Sequence, residues 1–260
     1  TFASLEHRFA NDWKIKGTLN QQTNDHDTQL GSASGGTPNP VTGDGMFFYW
    51  GKWEGHRVQT TADINASGPF TLFGREHELV VGVTSQDSRQ TGATFDGSLF
   101  EMVPGSIFDW NGHYPEPDFP KNGKYETNQN QNSAYMAARF KPTDDLSLIL
   151  GTRVSDFQYN STYKYYVQSS TFSDNKTTSK QHGRVTPYAG VVYDINDTYS
   201  AYASYTSIYK PVTDRSISGT TLAPTEGNSY ELGLKAEYFD GRLNASVAAF
   251  RNKKKKLPIQ

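Results

Sequence analysis

Apolar and polar residues alternate along most of the chain. In the clearest run, Tyr230, Leu232, Leu234, Ala236 and Tyr238 fall on one face and Glu231, Lys235 and Glu237 on the other. Successive strand side chains point to opposite faces, so the run predicts a ribbon with one apolar and one charged face. Leu243, Ala245, Val247 and Ala249 repeat the pattern against Asn244 and Ser246. Trp13, Ile15, Gly17 and Leu19 oppose Lys14, Lys16, Thr18 and Asn20, and Leu79, Val81 and Val83 oppose Glu78 and Thr84. Leu146, Leu148 and Leu150 oppose Ser147, and Val185, Ala189 and Val191 oppose Arg184, Thr186 and Tyr188. Helical periodicity is nearly absent. The pattern predicts about ten strands, some longer than the roughly five to six residues usual in globular sheets.

The connections alternate in length. Short ones are expected at Ala10–Asp12, Lys141–Asp144, Ile195–Asp197 and Asp240–Gly241, with Gly68–Glu76 slightly longer. Long polar loops are expected at about Thr23–Gly45, Thr91–Thr127, Val167–His182 and Lys210–Glu226. Short turns on one side and long loops on the other are the signature of an outer-membrane β-barrel. The apolar face is lean and rich in Ala, unlike the bulky core of a soluble sandwich. Tyr230 and Tyr238 bracket one apolar row and Tyr199 and Tyr205 another. Aromatic residues at both ends of an apolar band fit girdles at two membrane interfaces. The charged face would line a wet lumen. A secreted β-sandwich, β-solenoid or sugar-binding β-domain, or a small self-contained barrel acting as pore or adhesin, are the alternatives.

Composition narrows the classes further. The 260 residues include 23 Gly, 12 Pro and no Cys, are 35% hydrophobic and 13% aromatic, and carry a net charge of −2. No run approaches the roughly 18 apolar residues of a membrane-spanning helix. Lack of Cys removes disulfide frameworks and cysteine nucleophiles. The near-neutral charge argues against a nucleic-acid partner, and the aromatic content against disorder. The sequence starts at Thr1 without an apolar leader, so a signal peptide is expected to be cleaved or outside this sequence, and both ends look cut.

The segments FGREHELVVGV (Phe73–Val83), IFDWNGHYPEPDF (Ile107–Phe119) and LSLILGTRVSDF (Leu146–Phe157) carry a family likeness. So do TPYAGVVYDINDTYSAYASYTSIYKP (Thr186–Pro211) and LAPTEGNSYELGLKAEYFDGRLNASVAAFR (Leu222–Arg251). Together they resemble the barrel of TonB-dependent outer-membrane ferric-siderophore receptors, on the branch with the ferric-coprogen and ferripyoverdine receptors. The first 72 residues fit by strand pattern with weaker motifs. The resemblance implies a 22-stranded barrel around an N-terminal plug, a ferric siderophore of hydroxamate or pyoverdine type as ligand, and import powered by the TonB complex through the plug. This chain shows no plug. The fold expected is therefore all-β: an antiparallel up-and-down meander of about ten strands, a partial transmembrane β-barrel forming an open, curved sheet. Residues 1–251 would be partial barrel in the outer membrane of a Gram-negative cell, and residues 252–260, with their Lys run, a tail that does not match. A frameshift in an A-rich codon tract would explain such a tail, and sequencing the gene across it tests this.

No catalytic constellation, resident metal site or cofactor motif stands out. Arg75-Glu76-His77-Glu78 lacks zinc-helix spacing, and the Gly31–Gly45 stretch lacks the Gly-Lys-Ser/Thr ending of a phosphate loop. Asn24-Asp25-His26-Asp27 clusters oxygens that could hold calcium, without the EF-type spacing. The aromatic loop residues are more telling. Trp53 shares parity with Arg57, Gln59 and Asp63 and should face the lumen if no bulge intervenes. Trp50, Trp53, Trp110, Asn111, Tyr114 and Tyr209 are the candidate siderophore-binding residues. Flat amphipathic rings beside Asn and Arg suit a bulky chelate whose iron is already saturated. The same rings could instead pack loops or form a girdle.

Overall fold

The computed structural model describes residues 1–34, 37–95, 101–102, 106–113, 118–167 and 171–255. The strands are β1 (Phe2–Arg8), β2 (Lys14–Ser34), β3 (Phe47–Leu72), β4 (Arg75–Phe95), β5 (Glu101–Met102), β6 (Lys121–Phe140), β7 (Leu146–Val167), β8 (Thr171–Asp194), β9 (Tyr199–Lys210), β10 (Thr225–Tyr238) and β11 (Leu243–Lys255). Among the described residues there is no helix. Ten strands follow one another in an antiparallel meander, and the two-residue β5 pairs aside with β3. The sheet is open. Glu6–Arg8 pair with Lys16–Lys14, and Ala248–Phe250 pair with Gly233–Glu231, so the first and last strands do not meet.

Strands are longer than the alternation predicts. The ladder continues through Thr23–Ser34 and resumes at Phe47. β4 reaches Phe95, β6 begins at Lys121, and β8 begins at Thr171. Much of three expected loops is therefore paired backbone. Hydrogen-bonded pairing needs no apolar side chains, so alternation fades where both faces meet water while the ladder persists. The β9–β10 connection, 211–224, is a long loop where one is expected, and residues 106–113 and 118–120 are non-strand within the loop expected at Thr91–Thr127. The Gly68–Glu76 connection shrinks to Phe73-Gly74, with φ of 51° and 76°. Two positive φ values mark a type I′ turn, whose twist matches that of the flanking strands. β11 runs past Arg251, setting Lys253–Lys255 opposite Asn228–Glu226, so the ladder has no break at the expected tail boundary.

The register joins the apolar residues into continuous rows. Gly17, Ile64, Val83, Ala134, Val154 and Val185 lie side by side across six strands. Leu148, Val191, Ala203, Leu232 and Ala249 form another row. No second layer covers them among the described residues: Ile64 is 59% exposed, Val185 58% and Leu232 64%. The small polar residues of the opposite face are buried instead, with Ser155 at 4% and Ser161 at 3%. A water-soluble fold buries its apolar face, so this arrangement is inverted.

The band has membrane dimensions. Leu72 to Ala62 on β3 covers roughly 33 Å of strand, or about 23 Å of height at a tilt of about 45°, against an apolar band of about 25 Å in outer-membrane barrels. Aromatic pairs close both ends of the rows on β9 and β10. Tyr205 and Tyr230 have ring centroids 5.3 Å apart, and Tyr199 and Tyr238 stand edge-on at 6.0 Å with hydroxyls 3.0 Å apart. At the short-turn end, Arg75 pairs with Asp144 and its Nε donates to the Lys141 carbonyl at 2.8 Å, tying two neighbouring turns together.

On the polar face, tyrosines lie flat over glycines of the adjacent strand. Gly82 faces Tyr135, Gly151 faces Tyr188, and Gly233 faces Tyr202 in register. A Cβ on Gly82 would lie 2.5 Å from the Tyr135 ring. The Tyr135 hydroxyl meets Asp63 at 3.2 Å, and Thr84 and Asn65 complete that carboxylate's hydrogen bonds at 2.8 and 2.7 Å.

Gly82→Leu is expected to displace the Tyr135 ring and to lower folding stability by about 1–3 kcal/mol, read as a lower urea midpoint in detergent micelles. Charge placement has the opposite sign sensitivity on the two faces. Val83→Lys is expected to cost roughly 2–4 kcal/mol in a bilayer and Thr84→Lys less than about 1 kcal/mol, both read from urea-dependent refolding into vesicles.

Candidate functional site

The long connections and the far ends of β2, β3, β4, β6, β7 and β8 gather at one end of the sheet. Here the polar face becomes aromatic. The β3 ladder with β2 keeps one register from Phe47 to Ser67, so alternation carries through and Trp53 stands on the same face as Arg57, Gln59 and Asp63. Trp53 is 42% exposed, with its ring over Gly51, where a Cβ would lie 2.2 Å from it. The same alternation puts Trp50 on the outward set, away from that wall. Residues an odd number apart cannot share a strand face without a bulge, and β3 has none here.

Three tyrosines outside the sequence-derived set extend the wall. Tyr125 stacks on Tyr163 at 5.5 Å, and Tyr163 on Tyr165 at 6.2 Å. Tyr125 lies over Gly92 and Gly55, whose missing side chains leave room for its ring, and its hydroxyl accepts from Gln90 at 3.1 Å. Burial, with the phenols of Tyr159, Tyr165 and Tyr125, holds the Tyr163 hydroxyl above the ordinary tyrosine range. It therefore stays a neutral donor at physiological pH. The signal for two of them was present in the sequence: Tyr163 and Tyr165 are spaced by two and so share a face.

Trp110 and Asn111 lie in the connection before β6 and are engaged locally. Trp110 Nε1 donates to the His113 carbonyl at 2.9 Å, and Asn111 Oδ1 accepts the His113 N–H at 2.9 Å. That segment packs on the β2–β3 connection, where the Ile107 N–H meets the Gly43 carbonyl at 3.1 Å. Gly43 has φ +75°, and a Cβ there would lie 2.2 Å from Ser106 Oγ. Tyr114 lies outside the described residues.

Tyr209 sits apart from Trp53. β3 and β9 are separated by five ladder steps, about 24 Å along the sheet at roughly 4.8 Å per strand, so the two do not touch, and alternation on the β9–β10 ladder groups Tyr209 with Tyr205. After Thr206, β9 leaves the β8 ladder. The Tyr209 hydroxyl donates to Gln181 Oε1, while Gln181 Nε2 and Ser179 Oγ reach the Val212 carbonyl at 3.2 and 3.1 Å. Burial pushes the Tyr209 phenol up, Arg184 opposes this, and Asp156 adds to it. These bonds clasp the start of the β9–β10 loop to β8.

Among the described residues no group of three His, Asp or Glu side chains could hold a metal ion. Asp25 and Asp27, candidates for calcium from sequence, lie within β2 and are engaged from β3: Asp25 by His56 Nδ1 at 2.5 Å and Asp27 by Lys52 Nζ at 3.4 Å. Extended backbone spreads their side chains along the strand, so they do not converge on an ion.

Comparison with known proteins gives a consistent picture. A family model described as TonB dependent receptor-like, beta-barrel, matches residues 1–259. The ferripyoverdine receptor of Pseudomonas aeruginosa is 38% identical over 253 residues, covering 96% of this chain and 29% of that receptor. The ferric-pyoverdine BN7/BN8 receptor of Pseudomonas putida is 36% identical over 268 residues, covering 99% of this chain and 32% of that protein. The crystal structure of the Pseudomonas aeruginosa receptor bound to ferripyoverdine superposes with a TM-score of 0.80 at 37% identity, covering 97% of this chain and 32% of that one. The chain thus spans about a third of the length of these relatives.

The clasp on β8 makes its own prediction. Gln181→Ala is expected to free the β9–β10 loop, and limited trypsin digestion at Arg215 should speed up several-fold with the remaining sites unchanged.

Proposed function

We propose, from the fact that this chain belongs to the TonB-dependent receptor-like β-barrel family, that it forms part of the wall of an outer-membrane receptor for a ferric siderophore. The observation that carries the reading is the inverted burial, with apolar rows bare and polar rows enclosed. That is the arrangement of a sheet with lipid outside and water inside.

Unpaired backbone in hydrocarbon costs several kcal/mol per group. The free edges of β1 and β11 therefore need further strands of the same protein, which close the cylinder. The ligand is a chelate of hydroxamate or pyoverdine type. The names of the matched receptors support the pyoverdine choice. Its iron is coordinated before it arrives, so the wall supplies contact area and hydrogen bonds. Trp53 and the stacked rings of Tyr125, Tyr163 and Tyr165 offer contact surface at the mouth, and the tyrosines add hydroxyls. Tyr209, Trp110 and Asn111 belong to the rim, and Trp50 supports the strand from its outer side. Passage follows the hydrogen-bonded polar rows inward, and energy arrives from the TonB complex through a plug domain outside this chain.

In the closed receptor, Trp53→Ala and Tyr163→Ala are each expected to raise the Kd for the ferric siderophore about tenfold, the equivalent of about 1.4 kcal/mol of ring contact. Tyr163→Phe should change it less than about threefold. Fluorescence titration and growth under iron limitation measure both. Unchanged affinity in both alanine variants would remove the aromatic wall from the ligand site.

A further inference from the structure

Arg57 brings a fixed positive charge into a stretch of the inner wall that holds no counter-charge. Its row across β2, β4, β6 and β7 consists of Asn24, Gln90, Thr127 and Ser161. The adjacent rows over the same strands, from His26 to Tyr163 on the loop side and from Gln22 to Tyr159 on the turn side, contain no carboxylate either. The next carboxylate on that face of β3 is Asp63, six residues away. That is roughly 20 Å at about 3.3 Å per residue. Asp63 is also already engaged by Tyr135, Thr84 and Asn65.

The outer face at the same height is built differently. Arg89, next to Gln90 in the chain, meets Glu126 at 3.2 Å, and Lys52 meets Asp27 at 3.4 Å. Cations outside carry their own carboxylates. Arg57 has neutral partners only: its Nε donates to Ser88 Oγ and its Nη2 to Gln59 Oε1, both at 3.1 Å. These bonds orient the guanidinium and leave Nη1 without an acceptor among the described residues. A guanidinium carries more N–H donors than two acceptors use.

What lies beside this charge identifies its partner. Tyr125 and Tyr163 of the aromatic wall stand one row above Arg57, roughly 7 Å away along the strands. Gln90, directly opposite Arg57, donates to the Tyr125 hydroxyl at 3.1 Å, so the arginine and the rings belong to one surface. A chelate lying on the rings brings a short side arm over the guanidinium. Charge-assisted hydrogen bonds are roughly twice as strong as neutral ones, and an anionic arm gains most there. Oxygens that hold the iron are already committed, so the anion is a free group at the edge of the chelate. We infer that Arg57 is a specificity residue that receives a peripheral carboxylate of the ferric siderophore and selects an acidic chelate over its neutral counterpart. This rests on the siderophore reading given under Proposed function and narrows it.

The test uses the full receptor and a ferripyoverdine with a free carboxyl side arm, compared with the same molecule after that carboxyl is converted to its methyl amide. Fluorescence titration of the wild type is expected to give a Kd about tenfold lower for the acid than for the amide. Arg57→Gln should raise the Kd for the acid about tenfold and leave that for the amide within about twofold. Arg57→Lys, which keeps the charge, should keep the preference for the acid. The wild-type comparison needs no variant to fold. Equal affinity of the wild type for the two forms, an acid preference that survives Arg57→Gln, or an equal loss of both forms in that variant overturns the inference and leaves the siderophore reading standing. A wild type that binds neither form overturns both.

Discussion

The backbone hydrogen bond, and what happens to it away from water, governs this molecule. A β-ladder satisfies its polar groups strand to strand, which lets a sheet enter hydrocarbon with bare apolar side chains on its outer surface. That one constraint accounts for the neighbour-only pairing, for the long strands, and for the placement of irregular backbone at the two ends of the sheet. It also bears on the free edges of β1 and β11, where a row of N–H and C=O groups has no ladder partner. Curvature then divides the remaining chemistry. Apolar rows meet the surroundings, while Asp63, Tyr135, Ser133 and Arg153 bond to one another on the enclosed side.

The fold was legible because its main signal is local. Alternation at Tyr230–Tyr238 or Leu79–Val83 needs no tertiary information, and Asn, Asp and Gly mark the reversals at Asn11-Asp12, Asn196-Asp197 and Asp240-Gly241. Strand length was not legible, since residues such as Thr23–Ser34 or Asn175–Gln181 are polar on both faces and read as loop. Their pairing is enforced by neighbours already in register. The two-residue turn at Phe73-Gly74 hid for a different reason: a bulky Phe at positive φ is a poor turn former, accepted here because the strands on either side set the geometry.

The candidate site was partly legible. The face of Trp53 follows from parity, and the structure keeps it. Trp50, three positions earlier, obeys the same rule and falls on the other face. Tyr125 could not be chosen, because its importance comes from Gly55 and Gly92 on strands distant in sequence, which clear the space its ring occupies. The role of Gln181 in holding Tyr209 and the Val212 carbonyl likewise depends on where β9 parts from β8, a feature of the register alone.

The chain contains no Cys, so a single thiol can be placed at will. Spin labels at consecutive positions from Leu79 to Thr84 of the receptor in vesicles give the most direct reading of the central claim. Labels at 79, 81 and 83 should collide with oxygen dissolved in the bilayer, and labels at 80, 82 and 84 with a water-soluble nickel chelate, a strict period of two. Labels at 79, 81 and 83 shielded from both reagents would mean that protein covers the apolar rows, and the lipid-facing wall would be contradicted.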